Sequence, residues 1–308
     1  VSLGTIFLFI QMSQMLFRPL RQIADKFNSL QMGMVAAERI FEILETDSNI
    51  EDKGTLKPSQ INGNICLEKL GFSYIQGERI INDISLEIKS GETIALVGAT
   101  GAGKSTIINL ISRFYEFDSG DITIDGISIR KYDLKSLRNK VSVVLQDVFL
   151  FADSLFNNIT LFDSRISKDK VIKAAKNIGV HDFIESLPNG YDYNVKERGV
   201  MLSTGQRQLI AFLRAYISEP SILVLDEATS SVDSYSEEII QRAIDTLTKG
   251  KTSIIIAHRL ATVKNADRIV VMHKGDIVEQ GTHDELLKFK DGYYAKLYDV
   301  QFAEELAI

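Results

Sequence analysis

Residues 98–105 read GATGAGKS and fit the pattern G-x-x-x-x-G-K-[ST], with an apolar run before them (IALV, 94–97) and a helix-like run after them (TIINLI, 106–111). This spacing serves the cradling of phosphate. Glycines let backbone N–H groups close around phosphate oxygens, and the N-terminus of the following helix adds partial positive charge. The lysine reaches the terminal phosphates, and the hydroxyl beside it can ligate Mg²⁺. The candidate nucleotide-binding residues are therefore Gly98, Ala99, Thr100, Gly101, Ala102, Gly103, Lys104, Ser105 and Thr106, with Lys104 acting on the phosphates and Ser105 on the metal.

Two further segments carry chemistry. Residues 222–227 (ILVLDE) put two acids at the end of an apolar strand, and parallel strands bring such ends to a common edge. Asp226 is then placed to hold Mg²⁺ directly or through water, and Glu227 to act as general base on the attacking water. Residues 202–206 (LSTGQ) precede an amphipathic stretch with Leu209, Ile210, Phe212, Leu213, Tyr216 and Ile217 at helical spacing. At such a helix start, Ser203 and the N–H groups around Gly205 suit a second phosphate site; read alone, the same residues are a plain helix cap.

The rest of the chain supplies the frame. Its 308 residues, 45% hydrophobic and 25% charged, suffice for one large or two ordinary domains with a sizeable core. A formal net charge of −6 with no basic block leaves no electrostatic footprint for nucleic acid. Cys66, the single cysteine, forms no internal disulfide and lacks neighbours at metal-ligand spacing, so it is expected in the core of a protein from a reducing compartment. Alternating runs at 65–74 and 81–88 predict strands with one solvated face, whereas continuous apolar runs at 94–97, 141–145, 222–225, 253–257 and 269–272 predict strands buried on both faces. Helical stretches between several of these point to a largely parallel α/β core. From 147 to 217 the strand signals nearly vanish, which predicts a helical insertion. Residues 274–276 (KGD) read as a turn, and 282–285 (THDE) as a capping box opening a last helix.

Residues 46–61 are polar and aperiodic and read as a linker. Ahead of it, 1–17 carry no charge but fall short of the ~20 residues that cross a bilayer. They suit the tail of a membrane helix or an amphipathic soluble one. A first residue of Val suggests a piece of a longer protein, and Pro19 is expected to kink or interrupt a helix that resumes over 20–45.

In their order and spacing, GATGAGKST, LSTGQRQ and ILVLDEATSSVD resemble the nucleotide-binding domain of ATP-binding cassette (ABC) transporters, from about residue 61 to the C-terminus. LSTGQ separates this family from other phosphate-loop proteins. The resemblance implies an ABC-type α/β fold: a mixed sheet core, an antiparallel β subdomain and a helical subdomain at about 147–217, together filling 62–308. It implies an ATPase using ATP and Mg²⁺. Tyr74 resembles the aromatic that stacks on adenine, and Gln146 the glutamine that senses Mg²⁺ and the attacking water. Residues 231–233 resemble the D-loop that crosses the dimer interface, and His258 the switch histidine on the γ-phosphate. The other histidines, His181, His273 and His283, have no such context and are expected at the surface. Because the family dimerises head to tail, Leu202, Ser203, Thr204, Gly205 and Gln206 would serve the partner's ATP. Thr204 stands where the family most often has glycine, adding bulk and a stiff χ1 near the phosphate.

Residues 17–45 are similar to the segment that joins the last transmembrane helix to the cassette in exporters, and 195–201 (VKERGVM) to the exporter loop ahead of the signature. The implied protein is an exporter half-transporter: 1–45 end its membrane domain, 46–61 link, and the partner is a second half-transporter, identical or different. It would be a multi-pass protein of the cell membrane with its nucleotide-binding domain in the cytoplasm, an unidentified cargo and no nucleic acid.

Overall fold

The computed structural model describes residues 2–46, 50, 52–226, 234–257 and 259–301. They fall into two compact units, Val1–Glu51 and Asp52–Ile308. The first is one helix, α1 (Leu3–Glu45), which Ser2 caps by accepting from the Thr5 N–H. No side chain on it is buried, and large apolar residues such as Phe7, Phe17 and Phe27 stand exposed. Pro19, expected to kink or interrupt the helix, does not end it, since a proline removes a single N–H donor and the flanking turns keep theirs. Among the described residues no helix is long and apolar enough to cross a membrane. In α1 the charges begin at Arg18 and Arg21.

The second unit runs β1 (Ile65–Ile75), β2 (Glu78–Ile88), β3 (Thr93–Val97), α2 (Lys104–Ile111), β4 (Ser119–Ile124), β5 (Ile127–Ser128), α3 (Leu134–Arg138) and β6 (Val141–Val144). A helical stretch follows: α4 (Leu155–Thr160), α5 (Lys168–Ile178), α6 (His181–Glu185) and α7 (Thr204–Ile217). The chain then alternates through β7 (Ile222–Asp226), α8 (Ser234–Thr248), β8 (Thr252–Ile256), α9 (Leu260–Asn265) and β9 (Arg268–His273), and ends in β10 (Asp276–Gly281), α10 (His283–Leu287) and α11 (Tyr293–Gln301). The capping box expected at Thr282 and Glu285 opens α10.

Six strands form a sheet in the order β10-β9-β3-β8-β7-β6, parallel except for β10, and four form an antiparallel sheet in the order β2-β1-β4-β5. The continuous apolar runs are explained by what covers the larger sheet. Ile94 and Leu96 of β3, Ile222 and Val224 of β7, and Ile254 and Ile256 of β8 face a core shared with the antiparallel sheet and α2. Their neighbours Ala95, Val97, Leu223, Leu225 and Ile255 face a second core built with α4 to α8. Both faces being dry, alternation disappears.

The hairpin β4–β5 turns at Asp125-Gly126, a strong turn signal between ITI and ISI. Asp125 sits there at φ +52°. Its carboxylate accepts from the N–H groups of Asn62 (2.7 Å), Gly63 (3.1 Å) and Asn64 (2.9 Å), which pins the lead-in to β1. Cys66, in turn, is a half-buried residue and not the core residue expected, because Ile65 and Leu67 take the inward face of β1. Replacing the anchor leaves three donors unmatched. Asp125→Ala is expected to cost about 2–4 kcal/mol of unfolding free energy in a denaturant titration, with Asp125→Asn, which keeps one acceptor and tolerates the left-handed backbone, retaining part of it.

Candidate functional site

The phosphate-loop residues leave β3 and enter α2 through two positions that only glycine fits. Gly98 has φ +151°, and a Cβ there would lie 2.3 Å from the Met272 carbonyl oxygen of β9. Gly103, at φ +101°, caps α2, where a Cβ would press on Ile81 at 2.8 Å. The loop is thereby held flush against β9 and β2 with its backbone amides available for anionic oxygen.

Lys104, only 8% exposed, donates from Nζ to the carbonyls of Gly98 (2.6 Å) and Ala99 (3.0 Å). Burial lowers its pKa, and the Asp226 carboxylate works in the opposite direction. Register explains how that acid comes within reach. Leu96 of β3 and Asp226 of β7 are both level with Ile256 of β8, so the carboxyl ends of three parallel strands lie at one edge. Val144, the end of β6, pairs with Leu225, which starts Gln146 from the same edge. Ser105 is exposed in the first turn of α2.

These donors fit a small hard cation that also takes phosphate oxygens: one hydroxyl (Ser105), one amide (Gln146) and one carboxylate (Asp226). Among the described residues no group of three or more His, Cys, Asp or Glu offers a cage of another kind.

Tyr74, near the end of β1, lies against α2. Its hydroxyl is 3.3 Å from the Thr106 hydroxyl and accepts from Asn109 Nδ2 at 3.3 Å. The signature residues make the start of α7. Ser203 Oγ accepts from the Gln206 N–H (3.2 Å) and Gln206 Oε1 accepts from the Ser203 N–H (3.0 Å), a complete capping box. Thr204 takes its place in the first helical turn, where its hydroxyl accepts from Arg207 Nη2 at 3.2 Å. Its extra bulk is thus tied along the helix. Leu202 and Gly205 are buried.

A cleft of about 310 Å³ is lined by Gln146, Asp147, Arg198, Thr204 and Arg207 among others. None of residues 98–106 lines it. The structure therefore gathers Lys104 and Asp226 at the strand edge, Tyr74 of β1 against Thr106 of α2, and Gln146 with Thr204 along one cleft. Glu227, residues 231–233 and His258 lie outside the described residues.

Residues 81–230 match the ABC transporter family. The chain carries an ABC-transporter nucleotide-binding domain. That domain is the family's ATP-binding and ATP-hydrolysing unit, and the chain is similar along its full length to a protein named as an ATP-binding/permease protein. It is 44% identical over 304 residues to the uncharacterized ABC transporter ATP-binding protein YknV of Bacillus subtilis (strain 168), covering 98% of this chain and 50% of that protein. It is 45% identical over 303 residues to the ATP-dependent lipid A-core flippase of Methylobacillus flagellatus, covering 98% and 52%. A bacterial Atm1-family ABC exporter with ATP bound matches with a TM-score of 0.79 at 35% identity, covering 96% and 51%. The chain spans about half the length of the curated relatives it matches.

One group important to this domain had no motif to announce it. Arg214, ten residues beyond Thr204 on α7, donates to the Asn158 carbonyl (2.6 Å), the Phe149 carbonyl (2.9 Å) and Asn158 Oδ1 (3.1 Å). Burial pushes its pKa down to about 10. Asn158, fully buried, also accepts from the Phe151 N–H (2.8 Å) and donates to the Phe151 carbonyl (3.0 Å). The signature helix and the stretch just after Gln146 are thereby held as one piece. The three remaining histidines are half-buried, not surface residues: His181 Nδ1 is 2.9 Å from the Tyr191 hydroxyl, His283 Nδ1 2.6 Å from that of Tyr294, and His273 lies against Tyr293.

Two outcomes follow from these contacts. Lys104→Ala is expected to weaken MgATP binding roughly ten- to a hundredfold in an equilibrium titration, since it removes the charge facing the phosphates. Asn158→Ala should lower stability by about 3 kcal/mol, read by thermal or chemical unfolding, because it strands the Arg214 Nη2 donor and the Phe151 amide while the backbone carbonyl still accepts from Nε.

Proposed function

We propose that the chain is the ATP-driven end of an ABC exporter half-transporter, whose nucleotide-binding domain pairs head to tail with that of a second half-transporter and closes over two ATP molecules. The observation that carries this reading is the complete capping box at the signature, beside a cleft that this chain's own phosphate loop does not line. Thr204 shares a cleft with Gln146, and residues 98–106 are absent from its lining. A capped helix start suits the phosphates of a nucleotide held by another chain.

In the closed pair, Tyr74 stacks on adenine and the amides of 98–106 wrap the phosphates. Lys104 neutralises the terminal phosphates, while Ser105, Gln146 and Asp226 hold Mg²⁺, which when bound supplies further positive charge to the phosphate oxygens. Glu227 takes the proton of the attacking water, and His258 holds the γ-phosphate in line. Leu202, Ser203, Thr204, Gly205 and Gln206 complete the partner's site, with 231–233 crossing between the subunits. Hydrolysis reopens the pair.

Residues 1–45 then continue from the last membrane helix, and 46–61 link them to the domain at 62–308. The protein is a multi-pass membrane protein with this domain in the cytoplasm, and closure drives a cargo across the membrane. A formal charge of −6 supports a machine that does not work on nucleic acid.

The roles separate binding from turnover. Glu227→Gln in the full-length protein is expected to bind ATP with near-normal affinity yet hydrolyse it about a hundredfold or more slowly. Hydrolysis at the wild-type rate in that variant, measured as phosphate release, sinks the assignment of the base.

A further inference from the structure

We infer that Tyr115 is a positioning residue for adenine recognition: it is the wall that holds the Tyr74 ring in the orientation that stacks on the base. The inference rests on the proposal that Tyr74 meets adenine. Tyr74 is 46% exposed on the last turn of strand before a loop, a place where a tyrosine ring is free to swing. It is nonetheless gripped on several sides. Phe72, buried, meets it edge to face at 4.8 Å and 86°, and Tyr115 does the same at 5.0 Å and 87°. Perpendicular pairs of this kind are the favourable arrangement for two ring quadrupoles. The hydroxyl end is held by Thr106 and Asn109.

Tyr115 can act as a wall because the backbone on either side of it is hydrogen-bonded to neighbouring elements. The Phe114 N–H donates to Asn109 of α2 (2.8 Å), and the Asp118 N–H to Gly71 of β1 (3.0 Å). Just before them, Arg113, 2% exposed, is bonded to Glu116 at 2.7 Å, and Phe117 between them is buried. The segment thus ties α2, which carries Lys104, Ser105 and Thr106, to β1, which carries Tyr74. Through Tyr115 the place for the base is fixed relative to the place for the phosphates. A ring already oriented loses less freedom when the base arrives.

The test is the equilibrium binding of ATP and of inorganic tripolyphosphate to the full-length protein and its variants. Tyr115→Ala is expected to raise the Kd for ATP about three- to tenfold while leaving that for tripolyphosphate unchanged, and Tyr115→Phe, which keeps the ring, to restore ATP binding. Tyr74→Ala should show the same selective loss, at least as large. Equal weakening of both ligands by Tyr115→Ala means a general structural role and overturns the inference. So does an unchanged Kd for ATP in Tyr115→Ala while Tyr74→Ala is impaired. If Tyr74→Ala itself binds ATP normally, the adenine-stacking role of Tyr74 falls first, and that of Tyr115 with it.

Discussion

The parallel pairing of β3, β8, β7 and β6 is the constraint on which the site depends. A parallel ladder leaves every strand ending at the same edge, and each must cross back through a helix before the next begins. The residues that follow β3, the acid that ends β7 and the glutamine beyond β6 therefore leave one edge of the sheet without being near in sequence. The two apolar cores on the faces of the sheet hold that register, because a one-residue slip would exchange the side chains of the two faces.

On this edge the electrostatics are built around one cation. Lys104 is taken out of water, a step that by itself disfavours its charge, and the carboxylate of Asp226 and the carbonyls of Gly98 and Ala99 offset that cost. Held this way, the ammonium is a fixed charge inside the loop, and fixed charge is most effective on phosphate oxygen. Arg214 answers a different need. Its buried guanidinium turns α7 and the stretch after Gln146 into one body, so that whatever shifts the signature helix also shifts the neighbourhood of Gln146.

Much of this was legible from residue types. GATGAGKS announces a tight loop and a helix start, and the helix at Lys104 begins where the pattern demands. Runs such as ILVL and SIIIA read correctly as buried strands because burial on both faces removes polar residues from the whole strand. Other features failed for identifiable reasons. Cys66 is a small apolar residue on a strand whose inward positions belong to its neighbours, and composition says nothing about which face a residue takes. Pro19 marks a possible break, but the helix around it supplies all remaining bonds. In the short hairpin at Asp125-Gly126, the length of β5, Ile127–Ser128, makes the strand signal weak.

By itself the sequence determined the chemistry available: a phosphate loop, an acid at a strand end and a serine-capped helix are local patterns, set by backbone sterics and by the hydrogen-bonding groups that neighbouring residues carry. Only the tertiary structure decided which of them act together. Thr204 lines one cleft with Gln146, Asp226 acts on Lys104, and Tyr115 packs on Tyr74. Those pairings arise from strand order and helix packing between segments far apart in the chain, and no local pattern encodes a distance across a sheet.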